Sequence, residues 1–309
     1  MYDNVRLWMP RMWDMPDVGR YLEAARELAD TSTGEMRVYG SCGGLKVSQN
    51  SFGVEVSGSL AKFLHGENIT PMDLRGAADA VAKLSDALHL RMDEAQVTRL
   101  EFGRTFEVSR PVPDYLQRLG DKPRMKRNCF AQGALYYLNK GKEQTRVLAF
   151  YDKGEEARAS GMSMPAGLES SNLLRYELRF CKRVAQQAKA REVTAATLCD
   201  ERFYRHMVEL WRDNYFSISK TNKTGYDMEN VKSTVSGVFE WIAGVALNRM
   251  DAEEISGLIE AVERSGKLPD RMSRARLKRK LQDIAAKAGA GVPDELIKEL
   301  DGKVRDAAK

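Results

Sequence analysis

Histidine is scarce in this chain, with 3 in 309 residues, at positions 65, 89 and 206. They form no His-x-His, His-x-x-x-His or His-Glu-x-x-His pair, so no metal centre is built from histidines close in sequence, and any metal falls to carboxylates. Cysteine is equally thin. Cys42, Cys129, Cys181 and Cys199 are widely scattered without a Cys-x-x-Cys pair, which excludes a disulfide framework or a cysteine-built zinc site and reads as reduced thiols. Apolar runs are no longer than a strand, as in Val147 to Tyr151, far short of the roughly 20 residues that span a bilayer. The opening Met-Tyr-Asp-Asn-Val-Arg-Leu-Trp-Met-Pro has no basic stretch followed by an apolar core, so a cytoplasmic location without a membrane partner is expected. Net charge is also slight: 49 Lys+Arg against 44 Asp+Glu leaves +5, which names no nucleic-acid partner by itself.

What is present suits a folded protein. With 43% hydrophobic and 30% charged residues the chain buries enough surface to offset the entropy of ordering its backbone. Its length predicts two domains at about 150 residues each. Strand-like runs dominate to about residue 180. They include Asn50–Leu60, Gln96–Val108, a hairpin of Gly133–Leu138 and Arg146–Lys153 about a polar turn, and Leu173–Phe180, whose Leu174, Tyr176, Leu178 and Phe180 alternate with Arg175, Glu177 and Arg179. Lys122–Arg127 reads as a basic loop. Leu74, Ala77, Val81, Leu84 and Leu88 make Asp73–Leu90 an amphipathic helix. From about Val184 the spacing is helical, with helices expected over 201–212, 228–248, 252–265, 273–288 and 293–308. The class is α+β, an antiparallel sheet with flanking helices in a domain of residues 1–200, followed by an all-α region of residues 201–309.

The pleat sorts the polar residues by face. Arg99 and Glu101 share one face of their strand, as do Ala149, Tyr151 and Lys153 of the next, and Arg175, Glu177 and Arg179 of the third. If these strands are neighbours, one surface carries two carboxylates, a tyrosine, a lysine and several arginines. That set suits phosphodiester chemistry, in which a phenol needs activation, carboxylates hold a hard Mg²⁺ or Mn²⁺, and Lys and Arg bind phosphates. The same pattern also describes a packing tyrosine beside a solvated, cross-strand-paired face.

Taken in order, Val54–Asn68, Arg99-Leu-Glu101, Val147–Glu156 and Leu174–Phe180, with Met1-Tyr-Asp and Leu7-Trp-Met-Pro10, resemble the gene II/X family of phage and plasmid replication initiators, the filamentous-phage rolling-circle nickases, over residues 1 to 215. The resemblance implies an HUH-like, Rep-like nickase core and site-specific nicking and joining at an origin through a 5′-phosphotyrosyl intermediate. The family's Ala-Tyr-x-Lys-x-x-Glu segment maps onto Ala149 and Tyr151 through Glu156 with one extra residue after the alanine, making Tyr151 the nucleophile beside Lys153 and Glu156. Its Arg-x-Asp appears as Arg99-x-Glu101. The His-hydrophobic-His pair of the wider superfamily is absent, so Glu101 and Glu177 lead as ligands of Mg²⁺ or Mn²⁺, with Glu55 and Glu156 behind.

Origin DNA, double- and single-stranded, would meet Arg99, Arg124, Lys126, Arg127, Arg175 and Arg179. It would also meet Arg274, Arg276 and Lys278 of the run 271–280, which has six basic residues in ten. The helical remainder adds DNA contacts or builds a homodimer, and host helicase and single-strand-binding protein are implied partners. Two rival readings stand beside this one, a mobilisation relaxase and a catalytically inactive, sequence-specific DNA-binding regulator.

Overall fold

A computed structural model describes the chain except residues 30–33, 131–132, 142, 162–163, 166, 221–230, 250–251, 268–269 and 289–294. Ten strands form one antiparallel sheet: β1 (Tyr2–Pro10), β2 (Glu23–Ala29), β3 (Met36–Cys42), β4 (Leu45–Asn50), β5 (Gly53–Ser59), β6 (Gln96–Val108), β7 (Met125–Phe130), β8 (Ala134–Asn139), β9 (Arg146–Asp152) and β10 (Asn172–Phe180). Their order is β2-β3-β4-β5-β1-β6-β10-β9-β8-β7. The expected adjacency holds, because β6, β10 and β9 lie side by side at the centre.

Strand alternation places Val5, Leu7, Val56, Leu100, Phe102, Leu148, Phe150, Leu174, Tyr176, Leu178 and Phe180 on one buried face. Helices cover it. Helix α2 (Leu74–Leu88) starts where the Asp73 side chain accepts from the Gly76 N–H and buries Ala77, Val81, Leu84 and Leu88. It ends at His89, whose left-handed φ of 52° makes it the helix cap, with its ring 4.4 Å from that of Tyr21. Helix α7 (Glu201–Phe216) lays Trp211 on Tyr176 at a centroid distance of 4.9 Å, and Tyr176 in turn stacks on Phe150 at 4.4 Å.

The shorter helices are α1 (Leu60–His65), α3 (Val112–Leu116), α4 (Lys153–Ala159), α5 (Val184–Gln187) and α6 (Ala195–Leu198). Helices α8 (Val235–Arg249), α9 (Ala252–Arg264), α10 (Arg271–Ala288) and α11 (Glu295–Ala307) complete the chain, so every described element after β10 is a helix. The start expected for the helix at 228 and the breaks near 225 and 289–292 lie outside the described residues. Past residue 200, α7 and α11 join the same core through Phe203, Met207 and Trp211 of α7 and Ile297, Leu300 and Val304 of α11. Among the described residues no helix is long and apolar enough to cross a membrane.

Two expectations need correction. The strand expected from Asn50 is β5 and starts at Gly53, because Asn50 ends β4 and its side-chain oxygen turns the chain by accepting from the N–H groups of Phe52 (3.0 Å) and Gly53 (3.1 Å). The basic loop becomes strand from Met125, where β7 pairs with β8 at the sheet's edge.

Candidate active site

The opposite face of the sheet is polar and holds an open groove of about 850 Å³ lined by side chains of β1, β6, β8, β9, β10 and α4. Register brings its parts together: Arg175 lies opposite Tyr151, Glu177 opposite Ala149, and Arg179 opposite Glu101. Opposite Glu177 on the other side stands Gly103, where a Cβ would approach the Glu177 Cγ to 2.7 Å. A residue without a side chain there lets the carboxylate lie between its neighbours.

Glu177 is the hub. The Tyr151 hydroxyl donates to its Oε1 at 2.9 Å, Arg175 Nε donates to the same oxygen at 3.0 Å, and Arg179 binds Oε2 at 2.8 and 2.6 Å. Burial alone would raise the Glu177 carboxyl, but Arg175 and Arg179 outweigh it and hold it down to about 2. The tyrosine is pushed far above its usual range, first by burial and then by the Glu177 charge, so at rest it is a phenol aimed at a carboxylate. Tyr151 is half-buried, whereas Tyr137, on the same hairpin, is fully buried and donates to the Gly120 carbonyl at 2.7 Å.

Arg175 does not fit the DNA contact expected of it. It is 2% exposed, and its guanidinium is used up on Asp3 (2.6 Å), Glu177, the Asn68 carbonyl (2.9 Å) and Thr105 (3.0 Å). Asp3 also accepts from Ser59 at 2.5 Å and from Asn68. Sequence reading noticed Met1-Tyr-Asp but gave Asp3 no role, and it missed Asn4, whose side chain donates to Glu101 at 2.9 Å. Arg99 grips the other Glu101 oxygen at 3.1 and 2.6 Å. Lys153, 1% exposed at the start of α4, binds Glu156 at 2.5 Å on the groove's rim.

Other expected residues lie apart from this cluster. Glu55, across β1 from the centre, pairs with Arg6 at 3.7 Å. Arg127 turns to the covered side, where its Nε donates to the Leu119 carbonyl at 2.9 Å just past α3, and Lys122 caps α7 by donating to the Asn214 carbonyl at 3.1 Å. Arg124 and Lys126 are exposed. Arg276 and Lys278 are exposed and Arg274 half-buried on α10, which packs along α8.

The carboxylates do not fit a divalent metal as they stand. Both oxygens of Glu101 and both of Glu177 already accept N–H or O–H donors, and an ion would have to displace Arg99, Asn4, Arg179 or Tyr151 from them. Among the described residues no group of three or more His, Cys, Asp or Glu side chains is placed to hold a metal ion.

Comparison with known proteins places this arrangement in a family context. Residues 1–211, which contain all ten strands and the whole Glu177 cluster, match the family described as the N-terminal part of a phage replication-associated protein of the gene II type. A search of curated proteins found no match to the chain.

Proposed function

The chain belongs to this family of phage replication-associated proteins, a gene II/X-type group, and from that premise we propose that it initiates rolling-circle replication by nicking and rejoining one strand at an origin. In this reading the sheet is a Rep-like, HUH-like nickase core that works without a histidine pair. The observation that carries it is the Tyr151 hydroxyl at 2.9 Å from the Glu177 carboxylate on the wall of an open groove that Arg179 also lines.

The scissile phosphate enters beside Arg179, whose side chain is 21% exposed, and draws that guanidinium from Glu177 toward its own oxygens. Losing part of its cationic hold makes Glu177 a stronger proton acceptor as the phenol becomes a nucleophile. Tyr151 Oη attacks phosphorus, the Oη–P bond forms, its proton passes to Glu177, and the P–O3′ bond breaks. The departing 3′ oxygen takes that proton from Glu177 to become the 3′-OH that a polymerase extends, and the 5′ phosphate stays on the tyrosine. Rejoining is the reverse: a 3′-OH attacks the phosphotyrosyl phosphorus and the phenol is restored. Duplex and single-stranded origin DNA are the substrates, in a bacterial cytoplasm with host helicase and single-strand-binding protein.

Supercoiled plasmid carrying the cognate origin tests this. Wild type, with Mg²⁺ or Mn²⁺ supplied, is expected to give relaxed circles and a protease-sensitive 5′ protein adduct, while Tyr151→Phe binds the same DNA and gives neither. Equal nicking by both proteins removes Tyr151 from the role. Binding without nicking by wild type would turn the reading to the DNA-binding regulator.

A further inference from the structure

Beside the groove, β8 and β9 pair so that Ala134 faces Tyr151 and Tyr136 faces Ala149. On the polar face two tyrosines therefore hold one diagonal of a four-residue block and two alanines the other. Diagonal neighbours across a strand pair stand about 7–8 Å apart, and the short alanines leave open space between the rings. Tyr136 continues outward. Phe130 of the edge strand β7 sits edge-on to it at a centroid distance of 5.5 Å and is 53% exposed. From the opposite flank the Arg179 guanidinium lies 5.8 Å from the Tyr136 ring. Lys126, two residue pairs along β7 on the same face, is exposed.

Water gives a large ring little reason to stand on a sheet edge, yet here two rings lead in line from the edge to the guanidinium that holds Glu177. We infer that Phe130 and Tyr136 form a stacking subsite for unpaired nucleobases, with Arg179 and Lys126 meeting the phosphates on either side. Stacking on aromatic rings tolerates any base, because every base has a π-face, and it requires a single strand, because a duplex hides those faces. The placement of the strand next to Tyr151 rests on the nicking reading; the base stacking itself does not.

The test separates stacking from charge. Fluorescence anisotropy would compare a single-stranded oligodeoxythymidylate, an abasic oligonucleotide of equal length, and a duplex, each without an origin sequence so that cleavage plays no part. Wild type should prefer the thymidylate to the abasic strand by about tenfold. Phe130→Ala and Tyr136→Leu should each reduce that preference several-fold with abasic and duplex binding unchanged, and Tyr136→Phe should keep it. The inference is overturned if wild type binds both strands equally, or if both truncated variants retain the preference. Phe130 is exposed enough that its alanine variant carries the test even if Tyr136→Leu does not fold. Failure of Tyr151→Phe to lose nicking would sink the nicking reading and leave this comparison standing.

Discussion

Arg175 and Glu177 sit two residues apart on the same strand face, and both are buried despite their charge, at 2% and 1% exposure. Burying a charge is tolerable only when partners replace water, and here Asp3, Arg175, Glu177 and Arg179 alternate in sign along one hydrogen-bonded chain. Glu177→Gln keeps the shape and removes one anion from between two guanidiniums. It should cost about 3–5 kcal/mol in urea unfolding, because the remaining charges lose their partner. The pH dependence has a definite sign. The folded Glu177 carboxyl lies at about 2, below its ordinary 4.5, so its contribution is fully present above pH 4.5 and is lost as pH falls toward 2. Wild type should therefore lose stability faster than Glu177→Gln across that window, and parallel slopes would show that Glu177 is not held down. The shared face of Arg175, Glu177 and Tyr151 was legible from period-two alternation. The burial of Arg175 was not, since it depends on Asp3, 172 residues away in sequence.

At the scale of elements, long segments with strong periodicity were legible to within a few residues, as in α2, β6 and β10. Segments without it were not. β2 reads Glu-Ala-Ala-Arg-Glu-Leu-Ala, a composition that favours helix, and it is an edge strand exposed at every position. β7 hid inside a basic run, and its pleat divides two neighbours that looked equivalent: Lys126 stays on the groove side in solvent, while Arg127 binds the Leu116 and Leu119 carbonyls beneath. Lys126→Ala should accordingly lower the slope of log affinity against log salt for DNA by about 1 without changing stability. Arg127→Ala should leave that slope alone and lower the free energy of unfolding by about 1–3 kcal/mol, because carbonyl acceptors lose their donor. Titrating both variants from low to high salt, alongside urea unfolding, decides it. Equal slope changes would mean that Arg127 leaves its carbonyls when DNA binds.

For the whole molecule, helical periodicity tells which face of a segment is apolar but not what covers it, and this is why residues beyond 200 read as a unit of their own. Two of the helices beyond 200, α7 and α11, pack into the core of the sheet. Ile297, Leu300 and Val304 of α11 are buried with the sheet, Glu299 accepts from the Ser109 N–H at 3.0 Å and from the Ser109 and Tyr115 hydroxyls, and Asp301 accepts from Tyr215 at 2.7 Å. The end of the chain thus closes over the covered face of the sheet whose other face carries Tyr151. Leu300 is wholly buried, so Leu300→Ala leaves a cavity at this closure and should cost about 2–5 kcal/mol. Trp211, also wholly buried and stacked on Tyr176 of β10, reports on the sheet from the inside. If α11 is part of one cooperative core, urea unfolding of the Leu300→Ala protein followed by tryptophan fluorescence and by circular dichroism will move to lower urea as one transition. If α11 instead unfolds by itself, circular dichroism will show an early partial loss while the fluorescence midpoint stays at its wild-type position, and the helix will count as an attachment to the sheet's core rather than a member of it.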